Sequence, residues 1–98
     1  MIKLALIVAL SLAGTLSAQA AERSRAVRAE FQRSNPCPAT GATRGRCDGW
    51  QVDHVRSLCS GGVDHPTNLA WISVEDHKRK TVNDVAICKA QKVGVLPR

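Results

Sequence analysis

Apolar positions along this chain fall into blocks with different periods. Residues 4–16 form an almost unbroken apolar run, interrupted only by Ser11, Gly14 and Thr15. Over residues 22–33 the pattern changes. Val27 and Phe31 lie four apart with Ala26 and Ala29 beside them, while Arg23, Arg25, Arg28 and Arg33 spread over the remaining surface. That spacing predicts an amphipathic helix, stopped at Ser34-Asn35-Pro36 because the residue before a proline is pushed out of the helical region. Pro36, Pro38, Gly41, Gly45 and Gly49 leave residues 36–49 as loop. From 50 to 55, Trp50 and Val52 alternate with Gln51 and Asp53, which predicts a short half-buried strand. A loop around Gly61-Gly62 leads to a returning strand over 68–72, where Leu69, Trp71 and Ile72 are apolar. Ser73 then offers a hydroxyl N-cap, and Glu75 and Asp76 fall in the first turn, where the helix dipole favours acids. A helix is predicted from there through His77 to about Lys89, packing on Val82, Val85 and Ala86, with Cys88 near its end and a loose tail over 93–98. The class is α+β: a two-stranded antiparallel hairpin and a helix, preceded by another helix and a loop.

Residues 1–20 are expected to be a cleaved secretory signal. Lys3 precedes the apolar run, Ala18-Gln19-Ala20 has the small-x-small form of a cleavage site, and polar Glu22-Arg23-Ser24-Arg25 follows at once. An uncleaved membrane anchor is the alternative, disfavoured by the short apolar run. The expected product is a periplasmic or secreted protein with no stable membrane association, residues 21–98 forming one domain. Those 78 residues carry 13 basic and 8 acidic side chains. Their aromatic content is Phe31, Trp50 and Trp71 alone. So thin a core needs covalent support, and four cysteines in an exported chain answer that need. Cys37 and Cys47 bracket the loop that has least apolar content, and a disulfide there is favoured over a zinc knuckle because no C-x₂₋₄-C pair exists. The net positive charge points to an anionic partner: nucleic acid, membrane or cell-wall polymer.

The densest chemistry lies in residues 50–81. Asp53 is a hard oxygen donor suited to a divalent cation, and the His54 imidazole is a group that can accept a proton from water. Adjacent strand residues point to opposite faces, so the two share a site only if the strand ends there. His77, in the first turn of the last helix, is placed to reach the same ion. Two protein ligands would leave positions for water and substrate, as in a catalytic centre. Each feature alone has a plain reading: a structural Asp-His pair, a solvated basic helix face, a turn asparagine, a Gly-Gly turn. The joint spacing is what distinguishes them: Asp53-His54, thirteen residues, Asn68-Leu69, seven residues, then His77-x-x-Lys80-Thr81.

That segment resembles the HNH endonuclease family, whose ββα-metal motif runs D-H-(I/V)-x-P-L, G-G, D, N-L, H-x-x-K-T. Residues 35–54, N-P-C-P through G-W-Q-V-D-H, resemble a group of small exported bacterial HNH proteins. The resemblance covers about a third of the chain and implies a core motif over 50–89. It implies Asp53 and His77 as ligands of one divalent ion (Mg²⁺, Mn²⁺, Zn²⁺ or Ni²⁺), His54 as general base, and Asn68 as the residue that pins the long loop and orients His54. Gly61, Gly62 and Asp64 would shape the turn. It further implies metal-dependent, weakly specific hydrolysis of DNA, or of RNA, with Arg56, Lys78, Arg79, Lys80 and the amino-terminal arginines on backbone phosphates. The chain departs from the pattern where Ser57 replaces the motif's proline and where the two C-x-x-C zinc pairs are missing. That fits disulfides Cys37–Cys47 and Cys59–Cys88, although three pairings of four cysteines exist. His65 is extra and is read as exposed. The competing function is a catalytically idle basic module that binds nucleic acid or envelope polymer; a structural zinc domain is disfavoured by the cysteine spacing.

Overall fold

The computed structural model describes the backbone of residues 2–97 and the side chains from Ala18 onward. The expected signal segment, residues 1–20, therefore lies mostly outside the residues whose side chains are described. Among the described residues the order is helix α1 (Ile2–Ser34), strand β1 (Trp50–His54), two 3₁₀ turns (Leu58–Ser60 and Pro66–Asn68), strand β2 (Leu69–Ser73) and helix α2 (Val74–Lys92). The helix expected over 22–33 is the last part of α1. It does not begin at residue 22, because no proline and few poor helix formers stand between it and the apolar run. It ends where expected: both the backbone N–H and the side-chain amide of Asn35 donate to the Phe31 carbonyl, at 2.9 and 3.0 Å. Among the described residues no helix is long and apolar enough to cross a membrane.

The two strands pair antiparallel, with Trp50 opposite Ser73, Val52 opposite Trp71 and His54 opposite Leu69. Alternation gives the hairpin two faces. On one lie buried Leu69 and half-buried Trp71, and Trp71 meets α1. The rings of Phe31 and Trp71 lie 5.9 Å apart and tilted, and the Trp71 indole N–H donates to the Asn35 carbonyl at 2.7 Å. Burial of Phe31 is worth about 2–3 kcal/mol and the ring pair about 0.5–1.5 kcal/mol more. On the other face Asp53 and Ile72 meet α2. The apolar core is small: Phe31, Leu69 and half-cystines Cys37, Cys47 and Cys88.

Two disulfides, Cys37–Cys47 and Cys59–Cys88, support that core. The first closes the proline- and glycine-rich loop, which is further held by Cys37 N–H on the Ala42 carbonyl and Gln32 Nε2 on the same oxygen. The second joins the 3₁₀ turn Leu58–Ser60 to the last third of α2. No cysteine is free, so no thiolate is left for a structural zinc site. Ser73 ends β2 and caps α2 at once: its hydroxyl accepts from the Asp76 N–H at 3.1 Å. The Asp76 carboxyl is held below its usual value by hydrogen bonds from Arg79 and Ser73. A depressed carboxylate contributes stability at neutral pH and loses it as the pH falls through the lowered value.

One packing expectation is overturned. Val82, Val85 and Ala86 do not face the core; Val82 is 73 % exposed and Val85 47 %. The inward stripe of α2 is His77, Lys80, Asp84, Ile87 and Cys88. The cause is the Cys59–Cys88 bond, which fixes the rotation of α2 about its axis and turns the residues one and two turns earlier toward β1. Replacing Cys59 and Cys88 together by serine is expected to cost about 3–4 kcal/mol, from the loop entropy of a 29-residue separation. Thermal melting beside the wild type measures it.

Candidate active site

The site forms where β1 ends. The ladder stays regular to His54, so Asp53 turns toward α2 and His54 toward the opposite face. Both still line one cleft, together with Ser57, His77, Thr81 and Asp84.

On the α2 side, Oδ1 of Asp53 stands 3.7 Å from Nε2 of His77. That is too long for a hydrogen bond. Two donors that share one ion at about 2.1 Å each stand about 3.0–3.4 Å apart, so a shift of a few tenths of an ångström would let this pair share one. The donors thus fit a small divalent cation. Among the described residues no cluster of three or more His, Cys, Asp or Glu side chains converges to hold a metal, so an ion here would complete its coordination with water and substrate oxygens. The second oxygen of Asp53, Oδ2, lies 3.1 Å from the Lys80 ammonium. Lys80 also donates to Asp84 Oδ2 at 2.5 Å and to the His54 carbonyl at 2.9 Å. Burial pushes the Lys80 pKa down, but hydrogen bonds and charge from Asp84 and Asp53 outweigh it and hold it above the ordinary lysine value.

On the other side, His54 Nε2 meets Oδ1 of Asp64 at 2.9 Å, with the imidazole only 16 % exposed. A neutral ring that donates from Nε2 to this carboxylate keeps its Nδ1 lone pair free. Asn68 holds the loop that connects these residues. Its Oδ1 accepts from Arg56 N–H at 3.0 Å, and its Nδ2 donates to the carbonyls of Arg56 and Val63 at 2.9 and 2.8 Å. Three bonds from one side chain close the segment that carries Asp64 against the end of β1. The Gly-Gly turn is needed for the same closure. Gly61 has φ +94°, and a Cβ at Gly62 would stand 1.9 Å from the Arg56 carbonyl oxygen. His65 is exposed and caps the 3₁₀ turn Pro66–Asn68, its Nδ1 accepting from Thr67 N–H.

The four residues expected on phosphates separate. Lys78 is exposed and forms no ion pair among the described residues. Arg79 is exposed and paired with Asp76. Arg56 turns back onto its own loop, donating from Nε and a terminal nitrogen to the Ser60 carbonyl at 3.0 and 2.7 Å. Lys80 is drawn into the site by two carboxylates, Asp53 and Asp84. Arg23, Arg25, Arg28 and Arg33 are all exposed along α1.

Sequence reasoning did not assign Asp64 to His54, nor Asp84 to the site at all. Asp64 lies ten residues from its partner across an irregular loop, and no local period marks that contact. Asp84 carried a signal, since it stands four residues after Lys80 and seven after His77, on one helical stripe.

Comparison with known protein families, curated proteins and solved structures finds no match.

Gly62→Ala is expected to lose about 1–3 kcal/mol through the clash with Arg56, and Asn68→Ala a similar amount through unsatisfied carbonyls. Chemical denaturation reads both, and hydrogen exchange at residues 56–64 should speed up in each.

Proposed function

We propose that the protein is a metal-dependent endonuclease of the HNH type, exported to an oxidising compartment as a periplasmic or secreted protein, that hydrolyses DNA phosphodiesters with little sequence preference. The observation that carries this reading is the pairing of two arrangements at one strand end. Asp53 and His77 stand close to ion-sharing distance, and His54 beside them is held through Nε2 by the Asp64 carboxylate. The spacing that resembles the HNH motif supports it, as do the two disulfides and the exposed arginines of α1.

The chemistry follows from the residues. Asp53 Oδ1 and His77 Nε2 would hold the divalent ion, which when bound supplies positive charge for phosphate oxygens and for the leaving oxygen. His54 accepts a proton at Nδ1 from the water that attacks phosphorus. As that proton arrives the ring becomes cationic, and Asp64 stabilises it through the Nε2–H bond. Asn68 keeps the loop closed so that Asp64 stays in reach. Lys78 and the α1 arginines neutralise flanking phosphates, which makes binding salt-dependent.

Nicking of supercoiled plasmid by the oxidised protein tests this. Activity should require Mg²⁺, Mn²⁺, Zn²⁺ or Ni²⁺ and vanish in EDTA. His54→Ala should lower turnover by about 10²–10⁴-fold with DNA affinity kept, and His77→Ala should weaken ion binding first. Asp64→Asn should lower kcat by on the order of 10–100-fold with KM little changed. Cutting that survives EDTA would reject the ion, and equal nicking by wild type and His54→Ala would reject the base. DNA binding without any cutting under these conditions would identify an idle basic module.

A further inference from the structure

The Lys80 ammonium is the least expected group in the site. A phosphate-binding lysine would reach outward, yet this one is three-quarters covered and touches three oxygens: Asp53 Oδ2 at 3.1 Å, Asp84 Oδ2 at 2.5 Å and the His54 carbonyl at 2.9 Å. Asp84 is four residues further along α2, where an oppositely charged partner holds the lysine against the helix. The His54 carbonyl belongs to the last residue of β1, so the same ammonium also ties helix to strand.

The consequence lies in how Asp53 divides its two oxygens. Oδ2 is engaged by Lys80, and Oδ1 alone looks toward His77. We propose that Lys80, braced by Asp84, is a specificity-determining residue of the ion site: it restricts Asp53 to single-oxygen ligation and so selects small, tightly coordinated cations over calcium. This rests on the Asp53–His77 ion site proposed above. Calcium takes six to eight oxygens at 2.3–2.6 Å and draws on carboxylates that chelate with both oxygens. Mg²⁺, Mn²⁺ and Zn²⁺ accept one carboxylate oxygen at about 2.0–2.2 Å, and the transition ions also take an imidazole nitrogen. The fixed positive charge beside Asp53 works in the same direction. It repels every divalent ion, and the ions with the shortest bonds overcome it best.

Ion binding measured by titration calorimetry on the oxidised full chain, without DNA, tests the proposal apart from any activity. Wild type should bind Mn²⁺ more tightly than Ca²⁺ by at least about tenfold. Lys80→Met should raise Ca²⁺ affinity by about tenfold or more, and raise Mn²⁺ affinity less, so that the ratio shrinks. Lys80→Gln, whose neutral amide can still donate to the His54 carbonyl, carries the same comparison if the methionine variant does not fold. An unchanged Mn²⁺/Ca²⁺ ratio in the folded variant overturns the selectivity role and leaves the nuclease reading standing. Wild type that binds neither ion overturns both.

Discussion

The bond between Cys59 and Cys88 decides what this small molecule can do. It fastens a turn at the end of the hairpin to the final third of α2, and a helix fixed at one point by a covalent bond cannot rotate freely about its axis. The stripe thus forced inward is polar: His77, Lys80 and Asp84, each near one helical turn from the next. An ordinary amphipathic helix would have hidden its valines. Here Val82 and Val85 stay in solvent, because the cross-link and the ion pairs to Asp53 favour the other face. Burying two valines is worth a few kcal/mol at most, and a rotation that did so would have to break the Asp53–Lys80–Asp84 contacts and strain the cross-link.

A second constraint acts from the opposite side of the hairpin. Asn68 uses both amide N–H donors and its carbonyl oxygen on two carbonyls and one N–H of the 56–63 segment, and Gly62 lets backbone approach backbone where no side chain fits. The outcome is that Asp64 and His54 meet although the chain between them forms no regular element. The strand end therefore carries chemistry on both faces, the carboxylate of Asp53 toward one helix and the imidazole of His54 toward the other side.

Much of this was legible in the residues. The break at Asn35-Pro36, the alternation from Trp50, the cap at Ser73 and the order of elements each have a local cause, and local causes show in sequence. Both disulfides agree with those expected, Cys37–Cys47 from the loop it brackets and Cys59–Cys88 from the missing zinc pairs. The rotation of α2 was not legible, because apolar periodicity pointed to Val82 and Val85 while the cross-link that overrides it acts between residues far apart in the chain. In the uncut chain the helix expected over 22–33 continues upstream, so that α1 begins at Ile2. Lys80 read as part of a basic run with Lys78 and Arg79, since neighbours in sequence look alike until the helix separates their directions by about 100° each.

If the chain is exported as proposed, the two cross-links have a meaning for its life before that step. In a reducing interior cysteines stay as thiols, so α2 would lack the tether that helps hold His77 and Lys80 against the strand. On the function proposed here, the newly made polypeptide would hold its cutting groups apart while it shares a cell with the genome that encodes it. Oxidation after export would then bring them together, so the latch that stabilises the fold would also keep it harmless at home.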